Sequence, residues 1–116
     1  MGRESKSLNC KEVDIYLAGL FDGEGCVTYK NVMRHRKGKP RAYPTWNIRL
    51  EIAMTCERTI QFALDNFGCG TINFRPKYPH QTMDQYRWRC SHRDALQCAK
   101  RMVPYSITKK EKLESI

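Results

Sequence analysis

The stretch Leu17-Ala18-Gly19-Leu20-Phe21-Asp22-Gly23-Glu24-Gly25 decides how the rest of the chain is read. Small residues sit inside an apolar run, and acids stand at its very end. Leu17, Leu20 and Phe21 continue an apolar surface that begins at Val13, Ile15 and Tyr16, so the segment is expected to be the later part of an amphipathic helix. Gly19 and Gly23 are four apart and therefore share one helix face, which together with Ala18 they leave without bulky side chains. Two such helices can approach until their backbones nearly touch, the geometry that small-x-x-x-small faces permit. That contact carries two helix ends to one point, and the acids gathered there need cations to neutralise them. Oxygen ligands of this kind suit Mg²⁺, which commonly takes one or two carboxylates with water and phosphate. A core helix followed by an acidic turn is the plainer alternative, but it leaves the glycine spacing unexplained, because helical glycine costs stability relative to alanine.

Working outward, the helix has a marked start. Asn9 can cap it, Glu12 stands three residues on as in a capping box, and Leu8 with Val13 fits the hydrophobic staple. The helix is expected over residues 8–22, ending at the stretch 23–25. Residues 26–34 read as a strand, followed by a basic loop running through Pro40 to Pro44. Residues 45–55 are the clearest strand: Trp46, Ile48, Leu50, Ile52 and Met54 alternate with Asn47, Arg49, Glu51, Ala53 and Thr55. A short helix follows over 57–66, closed by Gly68 with Phe67 beneath it. Two further strands are expected over 70–75 and 85–90, separated by a loop bearing Pro76 and Pro79. Ser91 with Asp94 opens a third helix that Pro104 ends, and Thr108 with Glu111 opens a last short one. The order helix, two strands, helix, two strands, helix, helix predicts an α+β chain whose two hairpins form one antiparallel sheet, covered on one side by helices. The two halves repeat this order of elements without a repeat in sequence.

Composition narrows the partners. The 116 residues are 41% apolar, enough for one core, so a single domain over 1–116 is expected, with 1–7 loose. Lys and Arg number 21 against 12 acids, a net charge of +9 spread along the chain, which points to a folded polyanion binder. No apolar run long enough to span a membrane occurs, and no basic amphipathic helix suggests a membrane surface. Six cysteines stand at positions 10, 26, 56, 69, 90 and 98 without a C-x-x-C pair, and no apolar leader precedes them. They are therefore expected to be reduced, small buried thiols in an intracellular protein, not disulfides or zinc ligands. His35, His80 and His92 fall in loops or a helix cap, where solvated roles are expected.

Strand alternation sorts the side chains of the sheet into two faces. One face is expected to present Thr28, Lys30 and Arg34 from the first strand, and Asn47, Arg49, Glu51 and Ala53 from the second. The third strand adds Thr71, Asn73 and Arg75, and the fourth Gln85, Arg87 and Arg89. Val27, Tyr29, Trp46, Ile72, Phe74, Tyr86 and Trp88 take the opposite, core-facing side. Arg, Lys, Asn, Gln and Glu together hold the donors and acceptors suited to reading base edges in the major groove. Arg36, Lys37, Lys39 and Arg41 in the basic loop are expected to meet phosphates and sugars.

The nine residues 17–25 resemble the signature of the LAGLIDADG homing endonucleases, with six of nine positions identical and Phe21, Gly23 and Glu24 replacing Ile, Ala and Asp. The paired hairpins, the turn Phe67-Gly68-Cys69-Gly70 and the segment from Pro104 to Lys109 are also similar to that family. The resemblance implies an αββαββα fold with a saddle-shaped sheet over the major groove of double-stranded DNA. It implies that Glu24 is the metal-binding acid, that Gly23 offers a backbone carbonyl to the metal, and that Asp22 belongs to local helix-end structure. Lys109, with Lys110 as the alternative, would be the catalytic lysine near the scissile phosphate, and Ala18, Gly19, Asp22 and Gly23 the dimer interface. The resemblance leaves the water-positioning residue unassigned, because Thr55 and Cys56 match that pattern imperfectly. The implied activity is Mg²⁺-dependent hydrolysis of DNA phosphodiesters, with Mn²⁺ or Ca²⁺ able to substitute in binding. A single motif copy implies a homodimer on a roughly palindromic target, encoded in an intron or other mobile element. The competing expectations are a non-cleaving protein of the same fold, acting on intron RNA as a splicing maturase or on DNA as a regulator, and a structural basic protein.

Overall fold

The computed structural model describes residues 8–35 and 37–116, the side chain of Val32 excepted. The expectation of loose residues at 1–7 lies outside that range. Helix α1 (Cys10–Glu24) starts as its sequence dictates: the Asn9 side chain accepts from the Glu12 N–H at 2.8 Å, and the Glu12 carboxylate accepts from the Asn9 N–H at 3.1 Å. It ends two residues later than expected. Gly23 and Glu24 stay helical, and Gly25, in extended conformation, closes the helix by donating its N–H to the Phe21 carbonyl. A side chain at Gly25 would collide with the Phe21 ring, so glycine is needed where the chain turns from helix into sheet.

Strands β1 (Gly25–His35), β2 (Ala42–Met54), β3 (Thr71–Arg75) and β4 (Gln85–Ser91) form one antiparallel sheet in the order β1-β2-β4-β3, so the hairpins join through their second strands. Between them lies α2 (Glu57–Phe67), ended by Gly68 in left-handed conformation, φ +75°. After β4 come α3 (His92–Met102), a 3-10 turn at Val103–Tyr105 and α4 (Lys110–Glu114). The expected α+β order is present, with helices over one sheet face. None of the helices among the described residues is long and apolar enough to cross a membrane.

The core lies between that face and the helices: Leu17 and Phe21 of α1, Leu50 and Ile52 of β2, Ile60 of α2, Trp88 of β4 and Met102 of α3 are fully buried. Arg101 fastens the helical layer. Its guanidinium meets Asp14 of α1 at 2.8 Å and donates to the Asn66 carbonyl at 2.9 Å, at the C-terminal end of α2, where a cation also complements the helix dipole.

Several expectations need correction. Ser91 makes no side-chain cap on α3, because it is still paired with Arg49 in the sheet and the chain turns sharply at His92, φ +55°. Thr108 does not cap α4 either, which begins at Lys110. Tyr29, Trp46 and Phe74 stand on the core-side face, yet Trp46 is 50% and Phe74 56% exposed, and Tyr29 is exposed and stacked on Trp46. The hairpin outruns the helices that cover its base. Cys10, Cys26 and Cys56 are exposed, so burial holds only for Cys90 and Cys98, with Cys69 between the two classes.

Candidate active site

The C-terminal turn of α1 gathers the acids. A helix C-terminus carries partial negative charge, which disfavours acids and favours cations, and no basic residue stands in the last turn of α1. The cation comes from 87 residues away: Lys109 donates from Nζ to the Asp22 carbonyl at 2.9 Å. Asp22 in turn holds the segment before α4. Its carboxylate accepts from the Ser106 hydroxyl, from the N–H groups of Ile107 at 2.7 Å and Thr108 at 3.3 Å, and from the Lys109 N–H at 3.2 Å. Desolvation pushes the Asp22 carboxyl upward, but the Ser106 hydroxyl and the three N–H donors outweigh it and hold the carboxyl below its ordinary value. Asp22 thus supplies the acceptor that a local cap residue would otherwise give these N–H groups, which is why Thr108 is not needed as one.

Glu24 is different. It is exposed, and among the described residues its side chain has no hydrogen bond or ion pair. Gly23 beside it belongs to the last helical turn, past the Phe21 carbonyl that the Gly25 N–H caps, and its carbonyl has no onward helical N–H partner. Carboxylate and carbonyl oxygens of this kind fit a hard divalent cation, and the helix dipole they sit on favours one. Lys109 is half-buried against this turn, whereas Lys110 is exposed on α4.

Of the four residues expected at a dimer interface, two face outward. Gly19 and Gly23 are exposed, and a Cβ built on either meets nothing within 4 Å. Ile15, 45% exposed, shares their side of the helix. Ala18 is a correction: it is fully buried in the core of its own chain, one helical step round from that face. Asp22 is half-buried, with its carboxylate held by Ser106 to Lys109 of its own chain.

Strand register settles the sheet face. β1 pairs Thr28 with Arg49 and Lys30 with Asn47; β4 pairs Arg89 with Glu51 and with Thr71, Arg87 with Ala53 and with Asn73, and Gln85 with Arg75. Residues paired across a sheet point the same way, so Thr28, Lys30, Arg34, Asn47, Arg49, Glu51, Asn73, Arg75, Gln85, Arg87 and Arg89 all lie on the face away from the helices. None is buried. Lys37 is exposed in the loop joining β1 and β2, and Arg36 lies outside the described residues. Glu51 stands between two arginines, 3.5 Å from Arg49 and 3.7 Å from Arg87. These distances make ion pairs longer than hydrogen bonds, so Glu51 steadies both guanidinium groups without consuming them.

Sequence reasoning does not reach Ser106 as part of the site. It is buried, 5% exposed, and lies 84 residues from the carboxylate it meets, so no local pattern announces the contact. The place of Glu51 is more accessible, because residues two apart on a strand share a face.

No protein-family model matches the chain, and no curated protein does. Solved structures do match. The homing endonuclease I-CvuI, in complex with its target in the presence of Ca, superposes with TM-score 0.70 at 17% identity, over 90% of this chain and 63% of that one. The archaeal intron-encoded homing endonuclease I-Vdi141I, complexed with DNA, gives 0.63 at 12% identity, over 87% and 62%. The LAGLIDADG homing endonuclease I-GzeII, in complex with a DNA target, gives 0.59 at 16% identity, over 94% of this chain and 35% of that one. The chain spans a little under two thirds of the length of I-CvuI and I-Vdi141I. At such identities the likeness is one of fold: this chain has the fold of the LAGLIDADG homing endonucleases.

Proposed function

We propose that this chain is one half of a homodimeric, Mg²⁺-dependent endonuclease that cuts double-stranded DNA at a long, roughly palindromic site. The observation that carries the reading is the end of α1, where the helix enters the sheet: the Glu24 carboxylate has no partner among the described residues, and Lys109 reaches the Asp22 carbonyl of the same turn. The Gly19 and Gly23 face brings a second copy of that end into contact, so that each chain delivers one Glu24. Glu24 and Gly23 hold the cation, and Mn²⁺ or Ca²⁺ can replace Mg²⁺ in binding. Bound there, Mg²⁺ supplies Lewis acidity for phosphodiester hydrolysis by water. Lys109 neutralises charge developing on the scissile phosphate, and Asp22 acts as a positioning residue by fixing the backbone from which Lys109 reaches in. No side chain of this site is a covalent nucleophile.

The sheet face supplies recognition. Arg49, Arg87 and Arg89 are suited to guanine edges, Asn47, Asn73 and Gln85 to adenine, and the cations Arg36 and Lys37 to phosphate. Structural neighbours crystallised on DNA targets support this use of the fold. The protein works inside the cell, where its cysteines stay reduced and DNA is present, and intron RNA is a second polyanion its charge would tolerate. Selection of cleaved duplexes from a randomised library in Mg²⁺ tests the proposal. A recovered motif with two-fold symmetry supports it; enrichment of bound but uncut duplexes would make the chain a non-cleaving binder instead.

A further inference from the structure

We propose that Cys69, Cys90 and Cys98 form a site for one thiophilic d¹⁰ cation, Zn²⁺ foremost, separate from the end of α1. The Cys69 and Cys98 sulfurs are 3.4 Å apart, those of Cys90 and Cys98 3.9 Å, and all three lie within 4.8 Å of one another. Three sulfurs each about 2.3 Å from one Zn²⁺ stand roughly 3.8 Å apart at the tetrahedral angle and about 4.0 Å apart in a plane. The thiols are therefore already near ligand spacing, and well beyond the disulfide length of about 2.05 Å.

The three come from separate elements: the connection from α2 to β3, strand β4 and helix α3. The connection that carries Cys69 is held in place from several sides. Cys69 lies between two glycines at positive φ, Gly68 at +75° and Gly70 at +98°, a conformation L side chains rarely adopt. A Cβ at Gly70 would come within 2.6 Å of the Trp88 Nε1 and 2.7 Å of the Arg89 carbonyl. Trp88 also donates from that Nε1 to the Cys69 carbonyl at 3.0 Å. Cys90 and Cys98 are buried, while Cys69 is half-buried and marks the side by which an ion enters and a water completes its shell. Three soft donors without a carboxylate select Zn²⁺, Cd²⁺ or Cu⁺ over Mg²⁺ or Ca²⁺. Each thiol gives its proton to solvent as its sulfur bonds the ion.

The test uses the full chain, metal-free and reduced, in excess Mg²⁺ so that hard-ligand sites are occupied, titrated with Cd²⁺ and then Zn²⁺. One equivalent per chain is expected, with a thiolate-to-Cd²⁺ charge-transfer band, a raised thermal midpoint, and protection of Cys69, Cys90 and Cys98 from alkylation. Replacing the exposed Cys10, Cys26 and Cys56 together by serine should leave all of this intact. Cys69→Ser, the mildest change because that side chain is least buried, should weaken binding by more than about 100-fold, beyond the effect of losing a single supporting contact to a metal ligand. No equivalent bound by the triple-serine protein, or unchanged affinity in Cys69→Ser, would overturn the proposal, as would a Cys69–Cys98 disulfide in protein isolated without reductant. None of these readouts depends on DNA cleavage.

Discussion

Replacing Asp22 by alanine removes the acceptor for four donors at once, and the structure allows its cost to be worked out. A buried donor left without its acceptor costs about 1 to 3 kcal/mol. Ile107 and Thr108 are exposed, so water takes their N–H groups in the variant and their share is small. The Ser106 hydroxyl is buried and the Lys109 N–H half-buried, and these two lose their partner with little replacement. The expected loss is about 2 to 4 kcal/mol, read as a shift in the urea midpoint at fixed protein concentration. Ser106→Ala alone leaves the carboxylate three donors and should cost about 1 kcal/mol. The double variant should lose less than the sum, because one interaction is being removed twice. The effect also depends on pH. Since the folded carboxyl is held below its unfolded value, its contribution is complete above the ordinary aspartate pKa of about 3.9. It disappears as pH falls through the lower folded value, so the two proteins should converge in strong acid. A loss for Asp22→Ala under about 0.5 kcal/mol at neutral pH, the scatter of ordinary surface changes, or strict additivity with Ser106→Ala, would refute this reasoning.

Other consequences are checked separately. Gly19→Leu should leave the monomer folded, since nothing lies within 4 Å of a Cβ there, and should abolish dimerisation; sedimentation showing an intact dimer would reject the face as the contact. Arg49→Ala or Arg87→Ala should relax preference at single base positions by roughly 1 to 3 kcal/mol, while Glu51→Gln, which releases both guanidinium groups, should blur both positions together in a cleavage-site profile. Gly70→Ala should lower the thermal midpoint, because its methyl group meets Trp88 and Arg89 at a φ of +98°; an unchanged midpoint would show that this turn yields easily.

Much of the fold was legible because its signals are local. The Asn9 and Glu12 capping box, the Gly68 stop and the alternation along β2 each act within a few residues, and each is present. The polar sheet face followed from alternation alone, since register only had to keep the four strands in phase. Alternation names a face, however, and not how far the opposite layer reaches, which is why Trp46 and Phe74 stand exposed on the core side. The end of α1 lies two residues beyond the expected one because glycine propensity argues for an earlier stop, whereas Gly25 and the Phe21 ring set the real one. Ala18 looks like part of a bare face when only its size is considered, but its position on the helix turns it inward. Contacts across the chain were out of reach: Asp22 with Ser106, and the three thiols from positions 69, 90 and 98, meet only once the layers are packed.

The role of Glu24 is tested by comparing the chain with its Glu24→Gln variant on a duplex containing the selected site, measuring binding and strand cleavage with and without Mg²⁺. The variant is expected to keep sequence-selective binding, because the sheet face is untouched, and to lose Mg²⁺-dependent cutting of both strands. Cleavage by the variant at an undiminished rate would show that Glu24 does not hold the cation.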